Sequence, residues 1–318
     1  MKKPHGQLQP LRPQRLLGTD PEPQASPPPA GDAPGTGPGE REAYIIVRGD
    51  EILFDELLGE PLLLSARMLE GCDGIRLETM LLGDDGETSY FAVSIDRLPE
   101  RTARCLSGLG SFQPLRPRAA TLPPHTTALL GYARSVASWH NQTRFCSLCG
   151  HPTAPRPFSL AQVCTNPDCG MEHYLRVNPA MIVLVHHEDG EGERCLLGRQ
   201  AGWKPRVYSS VSGYVEPGES AEDAVLREVL EETGIHVTDI RYFCSQPWPF
   251  SNSLMLGFHA RATSTRIRLN DEELEDARWF TRAEIPALLE SGVLALPAAE
   301  TISRHLFDAW YSGRVPTT

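Results

Sequence analysis

The chain has 318 residues, of which 40% are hydrophobic and 22% charged, the composition of an ordinary globular protein of about two domains. No run of about 18 apolar residues is present, and the basic first residues lack an apolar stretch, so we expect neither a membrane-spanning helix nor a secretory signal. The formal net charge of -11 argues against bulk wrapping of nucleic acid but allows a local basic pocket.

Residues 1–41 are rich in proline and glycine, and ten of the 28 prolines lie before residue 41. This segment has almost no apolar side chains to bury, so we predict a disordered tail. Order is expected from residue 42. Strand formers occupy residues 44–47, and after a Gly49-Asp50 turn they recur at residues 52–54.

Further strand-like segments lie at residues 74–77 and 89–93, which predicts a small β-rich domain over residues 42–140. Its last part, residues 126–140, has helical periodicity. One stripe of this helix carries apolar and small side chains, namely Leu129, Tyr132, Ala133 and Val136. No motif in this domain indicates chemistry.

Residues 141–176 contain two cysteine pairs separated by fourteen residues: Cys146 with Cys149, and Cys164 with Cys169. Two tight turns that each supply two thiolates match the tetrahedral preference of Zn²⁺, and Gly150 and Gly170 suit the turning backbone. Four protein thiolates leave no position for water, so we predict one structural zinc per chain rather than a catalytic one. Cys72, Cys105, Cys195 and Cys244 lack ligand spacing, and we expect them to be buried apolar residues.

Residues 177–318 mix strands and helices without regular alternation, which indicates an α+β domain. Strands are predicted at residues 181–187, 194–200, 240–248, 253–262 and 277–280. A glycine-rich loop and a strong helix separate the second strand from the third, and helices occupy the end of the chain.

The helix after the glycine-rich loop carries a cluster of acids. Ser220 and Asp223 form a capping-box pattern, and Gly234 is a natural stop. At 100° per residue, three glutamates fall on one face, while four apolar residues are expected to point to a core; the glutamates are Glu228, Glu231 and Glu232, and the apolar residues are Val225, Leu226, Val229 and Leu230.

This cluster is locally unfavourable. Glu228 and Glu232 repel each other at i,i+4, and acids near a helix C-terminus oppose the macrodipole. We expect Arg227 to compensate Glu231 alone, so the other acids need a partner such as Mg²⁺ or Mn²⁺. A solvated acidic face is the alternative, and Glu219 in the glycine-bounded loop argues against it.

The stretch resembles the box of the Nudix family: Gly213, five residues, Glu219, seven residues, then REVLEETGI from Arg227 to Ile235. The resemblance implies a Nudix fold, a mixed sheet sandwiched by helices, preceded by the zinc ribbon and the small β-rich domain. It implies that Glu228 and Glu232 bind metal, that Glu231 is a ligand or base, and that Glu219 supports the site. The carbonyl of Ser212 would complete a metal site.

A second motif is similar to an array found in NADH pyrophosphatases, a Nudix subfamily. It reads SQPWPFSNS from residue 245, where that subfamily usually has proline in place of Ser251. We expect this change to affect loop stiffness more than chemistry. The resemblance implies substrate contacts from the array residues Gln246, Pro247, Trp248, Pro249, Phe250, Ser251, Asn252 and Ser253.

Further roles follow from the same resemblance. Tyr174 and Tyr214 would lie at the substrate, Glu273 would bind metal, and Ser303 would contact substrate through its backbone. Ordinary packing against other side chains remains the alternative for the aromatic residues, and we favour stacking on the ligand for Tyr214 and Trp248. An acidic substrate contact shortly before the third cysteine is missing, since the local sequence is PRPFSLAQV.

Together these residues imply hydrolysis of NADH or NAD⁺ to the nicotinamide mononucleotide and AMP, and removal of the NAD cap from RNA. The resemblance also implies a homodimer. Reduced zinc-binding thiols and the absence of targeting signals predict a cytoplasmic protein without a membrane partner. Two alternatives stay open: a Nudix hydrolase of another compound such as ADP-ribose, and a non-catalytic zinc-ribbon and Nudix regulator that binds a ligand.

Overall fold

A computed structural model describes residues 41–72, 75, 79–85, 87–156, 159–190, 192–269 and 273–315. The predicted tail lies outside the described residues except for Arg41, and so does most of the strand expected at residues 74–77. The chain divides into two compact units, Met1–Arg176 and Val177–Thr318.

The first unit contains a six-stranded sheet with the order β4-β5-β1-β2-β6, in which β3 also pairs with β1. Strands β1 and β5 are parallel, and the other pairs are antiparallel. The strands are β1 (Arg41–Arg48), β2 (Glu51–Phe54), β3 (Leu63–Leu64), β4 (Thr79–Asp84), β5 (Thr88–Ser94) and β6 (Ser111–Pro114). The predicted β-rich domain is thus confirmed.

In the described part of this unit three α-helices accompany the sheet: α1 (Glu100–Ser107), α2 (Leu115–Arg118) and α3 (Pro124–Gln142). Helix α3 packs on β5 and β1 and covers the predicted helix of residues 126–140. Of its predicted stripe, Ala133 and Val136 are fully buried, while Leu129 and Tyr132 are partly buried. None of the helices in the described ranges is long and apolar enough to cross a bilayer.

The cysteine module forms a three-stranded antiparallel sheet, β7 (Thr153–Pro155), β8 (Gln162–Cys164) and β9 (Glu172–His173). The end of α3 is bonded to it. The Trp139 indole N–H donates to the Leu160 carbonyl at 3.0 Å, and the buried His140 ring lies 2.7 Å from the Gln162 amide nitrogen. Helix α3 therefore ties the β-rich domain to the cysteine module.

The second unit contains a mixed sheet with the order β13-β14-β10-β11-β15, in which β12 pairs with β10 and β14 runs parallel to β10. Its elements are β10 (Asn178–Asp189), β11 (Gly192–Arg199), β12 (Val211–Tyr214), α4 (Ala221–Thr233), β13 (Val237–Trp248), β14 (Ser253–Ala262), β15 (Asp276–Thr281), α5 (Ile285–Glu290) and α6 (Ile302–Tyr311). The five predicted strands are present. Strand β12 occupies part of the stretch that was expected to be loop.

Helices cover both faces of this sheet. Alternate residues of β10, including Met181, Val183 and Val185, share a core with Val225 and Val229 of α4. The other face packs against α6, which contacts both β10 and the neighbouring strand β14. There, the His259 ring nitrogen Nε2 lies 2.9 Å from the Leu306 carbonyl, and Gly257 leaves room for the side chain of Ile302. This arrangement confirms the α+β Nudix fold expected from the sequence.

The link between α3 and the cysteine module should depend on pH. Burial, with help from Arg97, lowers the pKa of His140 to about 4, against about 6.5 in an unfolded chain. Between these values the unfolded chain binds more protons, so the stabilisation is complete above pH 6.5 and is lost as the pH falls towards 4. From pH 7 to 5 we expect a loss of about 2 kcal/mol from this residue.

Urea unfolding monitored by far-ultraviolet circular dichroism at several pH values measures this loss. His140→Gln should remove that part of the pH dependence, whereas His125→Gln, at an exposed position of the same helix, should not. An unchanged pH slope in His140→Gln would contradict the assignment.

Candidate functional site

The four cysteines of the module converge. Their Sγ atoms all lie within 4.8 Å of one another, with Cys146 and Cys169 at 3.8 Å and Cys149 and Cys164 at 3.4 Å. Zn²⁺ with sulfur at about 2.3 Å in a tetrahedron requires sulfur separations of about 3.8 Å. The glycine after each pair, Gly150 or Gly170, has positive φ, as the predicted turns require.

The charges of this cluster also fit a cation. A backbone N–H of His151 lowers the pKa of the Cys149 thiol to about 6, whereas burial raises that of Cys164 to about 12. Full deprotonation of four sulfurs this close therefore requires a positive ion between them. Zn²⁺ supplies that charge in a closed site. The predicted ligand set is brought together by the structure.

The other cysteines depart from the prediction. Cys195 is buried, Cys72 and Cys244 are partly buried, and Cys105 is exposed. Helix α1 buries Thr102 and Leu106, which turns the intervening Cys105 outward. The expectation that all four are buried apolar residues is therefore wrong.

Helix α4 begins and ends where the sequence predicts. The Ser220 hydroxyl accepts a hydrogen bond from the Asp223 N–H at 3.0 Å, and the Asp223 carboxylate accepts one from the Ser220 N–H. At the other end Gly234 adopts the left-handed conformation with φ of 68°. These caps fix the helix that carries the acids.

The buried face of α4 is not the one predicted. Val225 and Val229 are buried as expected, but Leu226 and Leu230 are exposed, while Glu232 is only 2% exposed. On a helical wheel the buried residues are centred near Val225, which places Leu226 and Leu230 about 100° and 140° away from the centre of the buried face. The helix thus directs carboxylates, rather than its largest apolar side chains, towards the sheet.

Glu228 lies against strand β12 at Gly213, where any larger side chain would displace its carboxylate. A Cβ atom added to Gly213 would meet the Glu228 Oε1 atom at 1.9 Å. A glycine in a strand often marks such a close approach, and it explains why β12 was mistaken for loop. Ser212, whose carbonyl was predicted to bind metal, directly precedes Gly213 in this strand.

One arginine holds three of the acids. Arg227 contacts Glu219 at 2.7 Å, Glu228 at 2.9 Å and Glu231 at 3.1 Å. The expectation that Arg227 compensates Glu231 alone is wrong, because the long guanidinium also reaches its neighbour Glu228 and the loop residue Glu219. Its hydrogen bonds lower the pKa of Glu219 to about 2.

A single positive charge does not balance this cluster. Burial raises the pKa of Glu228, and the negative charges of Glu231 and Glu273 raise it further although Arg227 opposes them. Glu273 therefore lies within electrostatic range of the helix, as a metal ligand would. In the described part of the chain these carboxylate oxygens do not converge as closely as the four sulfurs do. Their hard oxygen donors, held in a site that disfavours their charge, fit a divalent cation.

The array predicted to bind substrate forms the end of β13, a turn and the start of β14. Trp248 packs edge-on against Phe250 with 5.0 Å between ring centroids, and the hydroxyls of Ser251 and Ser253 lie 2.9 Å apart. Asn252 adopts a positive φ of 53° in the turn. Pro247 pairs with Leu254, and Pro249 accepts a turn hydrogen bond.

The side chains of Gln246 and Ser303 form hydrogen bonds within the protein. The Gln246 amide donates to the Glu300 carbonyl at 2.7 Å and accepts from the Ile302 N–H at 2.8 Å, which holds the start of α6. The Ser303 hydroxyl accepts from Ser209 and from the Ser210 N–H. Sequence reasoning missed both roles, because no local pattern connects residues this far apart.

The sheet places the array and the box at the same end. Tyr214 of β12 lies opposite Ala180, Ala180 lies opposite Met255, and Met255 lies opposite Gln246. Three strand spacings separate Tyr214 from Gln246, a span of about 14 Å. Tyr214 is 52% exposed, so its ring is available to a ligand. Tyr174 belongs to the other unit, where it is exposed and donates to Glu172.

Gly213→Ala tests the close approach of β12 and Glu228. The new methyl would force the Glu228 carboxylate out of its position, so we expect metal-dependent activity to fall by about 10- to 100-fold while the melting temperature changes by only a few degrees. The control Gly202→Ala alters a glycine of the same unit that has open space around it and no positive φ. Equal activity losses in the two variants would contradict the steric argument.

Comparison with known families covers most of the described chain. Family models match for a "NADH pyrophosphatase-like rudimentary NUDIX domain" over residues 41–139, a "NADH pyrophosphatase zinc ribbon domain" over residues 141–174 and a "NUDIX domain" over residues 176–299. The order of the three matches follows the order of the β-rich sheet, the cysteine module and the mixed sheet.

Individual relatives are also similar. The NAD-capped RNA hydrolase NudC of Stutzerimonas stutzeri (strain A1501) is 43% identical over 204 residues, which cover 64% of this chain and 69% of that protein. The NAD-capped RNA hydrolase NUDT12 of Homo sapiens is 36% identical over 241 residues, covering 71% of this chain and 51% of that protein. The chain thus spans about half the length of NUDT12. A solved structure, a Nudix hydrolase from Nitrosomonas europaea, is 24% identical with a TM-score of 0.41, covering 55% of this chain and 96% of that one.

The three matched domains, the 43% identity to NudC and the carboxylate geometry of α4 agree with one another. The chain therefore belongs to the Nudix hydrolase family, in its NADH pyrophosphatase-like group.

Proposed function

We propose that this chain hydrolyses the pyrophosphate bond of NADH and NAD⁺, giving AMP and NMNH or NMN, and removes the same group from the 5′ end of NAD-capped RNA. The observation that carries the proposal is the set of box glutamates, three of which contact Arg227 while the fourth, Glu232, is buried on the same helix, at the same end of the sheet as the aromatic array. The similarity of the chain to NudC and NUDT12, which are described as NAD-capped RNA hydrolases, supports the choice of substrate.

The charge of the substrate explains what the site must do. A dinucleotide pyrophosphate carries two negative charges on its bridge, and attack by water requires their neutralisation. Mg²⁺ or Mn²⁺, when bound, clamps phosphate oxygens and lowers the pKa of bound water. Glu228 and Glu232 would hold this ion, with the Ser212 carbonyl and Glu273 as further ligands.

The remaining box residues position these ligands and move the proton. Arg227 fixes the orientation of Glu228 and draws Glu219 against the helix. Glu231, whose side chain is 56% exposed, is accessible to water and is our candidate for the group that takes its proton.

Aromatic side chains would orient the two bases. Tyr214 and Trp248 lie on neighbouring parts of the sheet end, where flat rings can stack on bases and place the bridge over the carboxylates. We assign Pro247, Pro249, Phe250, Ser251, Asn252 and Ser253 to the walls of the substrate site, and the backbone of Ser303 to its floor. From the family resemblance alone we also propose a substrate contact for Tyr174.

We also propose a cellular location and an oligomeric state for the chain. Four zinc-binding thiolates require a reducing environment, which supports a cytoplasmic location. A homodimer is proposed from the family resemblance. No membrane partner is proposed.

The direct test is release of AMP from NADH by the full chain with Mg²⁺ or Mn²⁺. Glu232→Gln keeps the shape of a buried side chain and removes its charge, so we expect kcat to fall by about two orders of magnitude or more with the fold retained. Glu222→Gln, at an exposed position of the same helix, should keep activity within about two-fold.

Other results would select the alternatives. Faster turnover of ADP-ribose than of NADH would favour a different Nudix hydrolase. No turnover of any dinucleotide would favour a ligand-binding regulator. Activity of Glu232→Gln close to that of the unmodified chain would contradict the metal assignment.

A further inference from the structure

Helix α6 contacts β14 at two points that are one helical turn apart. A Cβ atom added to Gly257 would meet the Ile302 side chain at 2.8 Å, and the His259 ring nitrogen Nε2 lies 2.9 Å from the Leu306 carbonyl. Residues two apart in a strand are separated by about 6.6 Å, and residues four apart in a helix rise by about 6.0 Å. Because these spacings nearly match, the two contacts together fix where α6 lies along β14.

The contact made by His259 is the directional one of the two. The residue is 1% exposed, and its ring packs edge-on against Phe243 of β13 with 5.1 Å between ring centroids. Since a carbonyl oxygen only accepts, Nε2 carries a proton and donates it to Leu306. The other ring nitrogen, Nδ1, has no hydrogen-bond partner among the described residues. The bond to α6 therefore fixes both the tautomer and the orientation of the ring.

This donor is a neutral group. Burial lowers the pKa of His259 to about 4, although its bond to the Leu306 carbonyl opposes the shift, and His186 of β10 adds to it. A neutral N–H group holds α6 without placing an unpaired charge between the helix and the sheet.

The first turn of α6 is bonded to both motifs of the proposed site. The Ile302 N–H donates to the side chain of Gln246 in the array at 2.8 Å. The Ser303 hydroxyl accepts from the Ser210 N–H at 3.1 Å, two residues ahead of the carbonyl of Ser212. A displacement of α6 along β14 by about 1 Å would break both hydrogen bonds.

We propose that His259 is a positioning residue of this site: it fixes α6 through the Leu306 carbonyl, and α6 in turn fixes both motifs. The inference rests on the proposed function and adds to it a buried residue that acts through a helix. The carboxylates of α4 do not depend on this link, because α4 has its own caps and β12 is paired with β10. Loss of the bond should therefore weaken dinucleotide binding more than it slows the chemical step.

The test compares substitutions of His259 in the full chain. His259→Phe keeps a ring in the core but has no donor, whereas the amide of His259→Gln can still donate to the Leu306 carbonyl. We expect His259→Phe to raise KM for NADH about 10-fold with kcat within about three-fold, and His259→Gln to keep both values within about three-fold. Equal losses in the two variants, or a fall in kcat alone, would overturn the proposal.

Leu197→Ala is the matched control for a loss of packing. Leu197 is 1% exposed and belongs to β11, two strands from β14. The strand neighbours Leu196 and Phe258 belong to the core beneath α4, so Leu197 and His259 both lie on the other face. The control should lower the melting temperature at least as much as His259→Phe but keep KM for NADH within about two-fold. A rise in KM equal to that of His259→Phe would show that any loss of packing is sufficient, which contradicts the positioning role.

Hydrogen–deuterium exchange separates this inference from the proposed function, since it requires no turnover. In His259→Phe we expect faster exchange of the amides of residues 207–212 and 246–253 as well as of α6, with α4 unchanged. This pattern supports the positioning role even if no dinucleotide is hydrolysed. Faster exchange confined to α6 overturns it even if NADH is a good substrate. If His259→Phe does not fold, His259→Asn takes its place, because its shorter amide does not reach Leu306.

Discussion

The structure depends on the crowding of carboxylates at one end of α4. Glu228, Glu231 and Glu219 share a single arginine, and Glu232 is buried beside them. Such an arrangement is unfavourable without further positive charge, because burial and like charges together oppose ionisation of Glu228. The capping box, the left-handed Gly234 and the close approach at Gly213 all hold these side chains in place. These local features hold the acidic cluster in place, as the proposed binding of a divalent cation and a phosphoanhydride requires.

The rest of the second unit brings the substrate elements to this cluster. Strand β10 lies between β12, which carries Tyr214, and β14, which begins at the array. The start of α6 is bonded both to Gln246 of the array and to Ser210 ahead of the box. Two motifs that are far apart in the sequence therefore share one support, which fits the proposal that they act on one ligand.

Much of this could be predicted from the sequence, because the decisive patterns are local. The caps of α4, the cysteine turns and the five strands follow from spacing and periodicity within short windows. The contacts between distant residues could not be predicted. Arg227 reaches Glu219 only because the loop folds back, and Glu228 meets Gly213 only because β12 joins the sheet. The exposed Leu226 and Leu230 show the same limit. Hydrophobic periodicity cannot show that a carboxylate, rather than these leucines, is buried on the inner face of the helix.

The central claim is that the acids of α4 hold a divalent cation against a pyrophosphate. Crystals grown with Mn²⁺ and a non-hydrolysable dinucleotide would test it most directly, since the anomalous signal of manganese locates the ion independently of its surroundings. The account predicts a peak within about 2.5 Å of oxygens from Glu228 and Glu232 and from the phosphate bridge. A bound dinucleotide with manganese elsewhere, or with these glutamates turned to solvent, would contradict it.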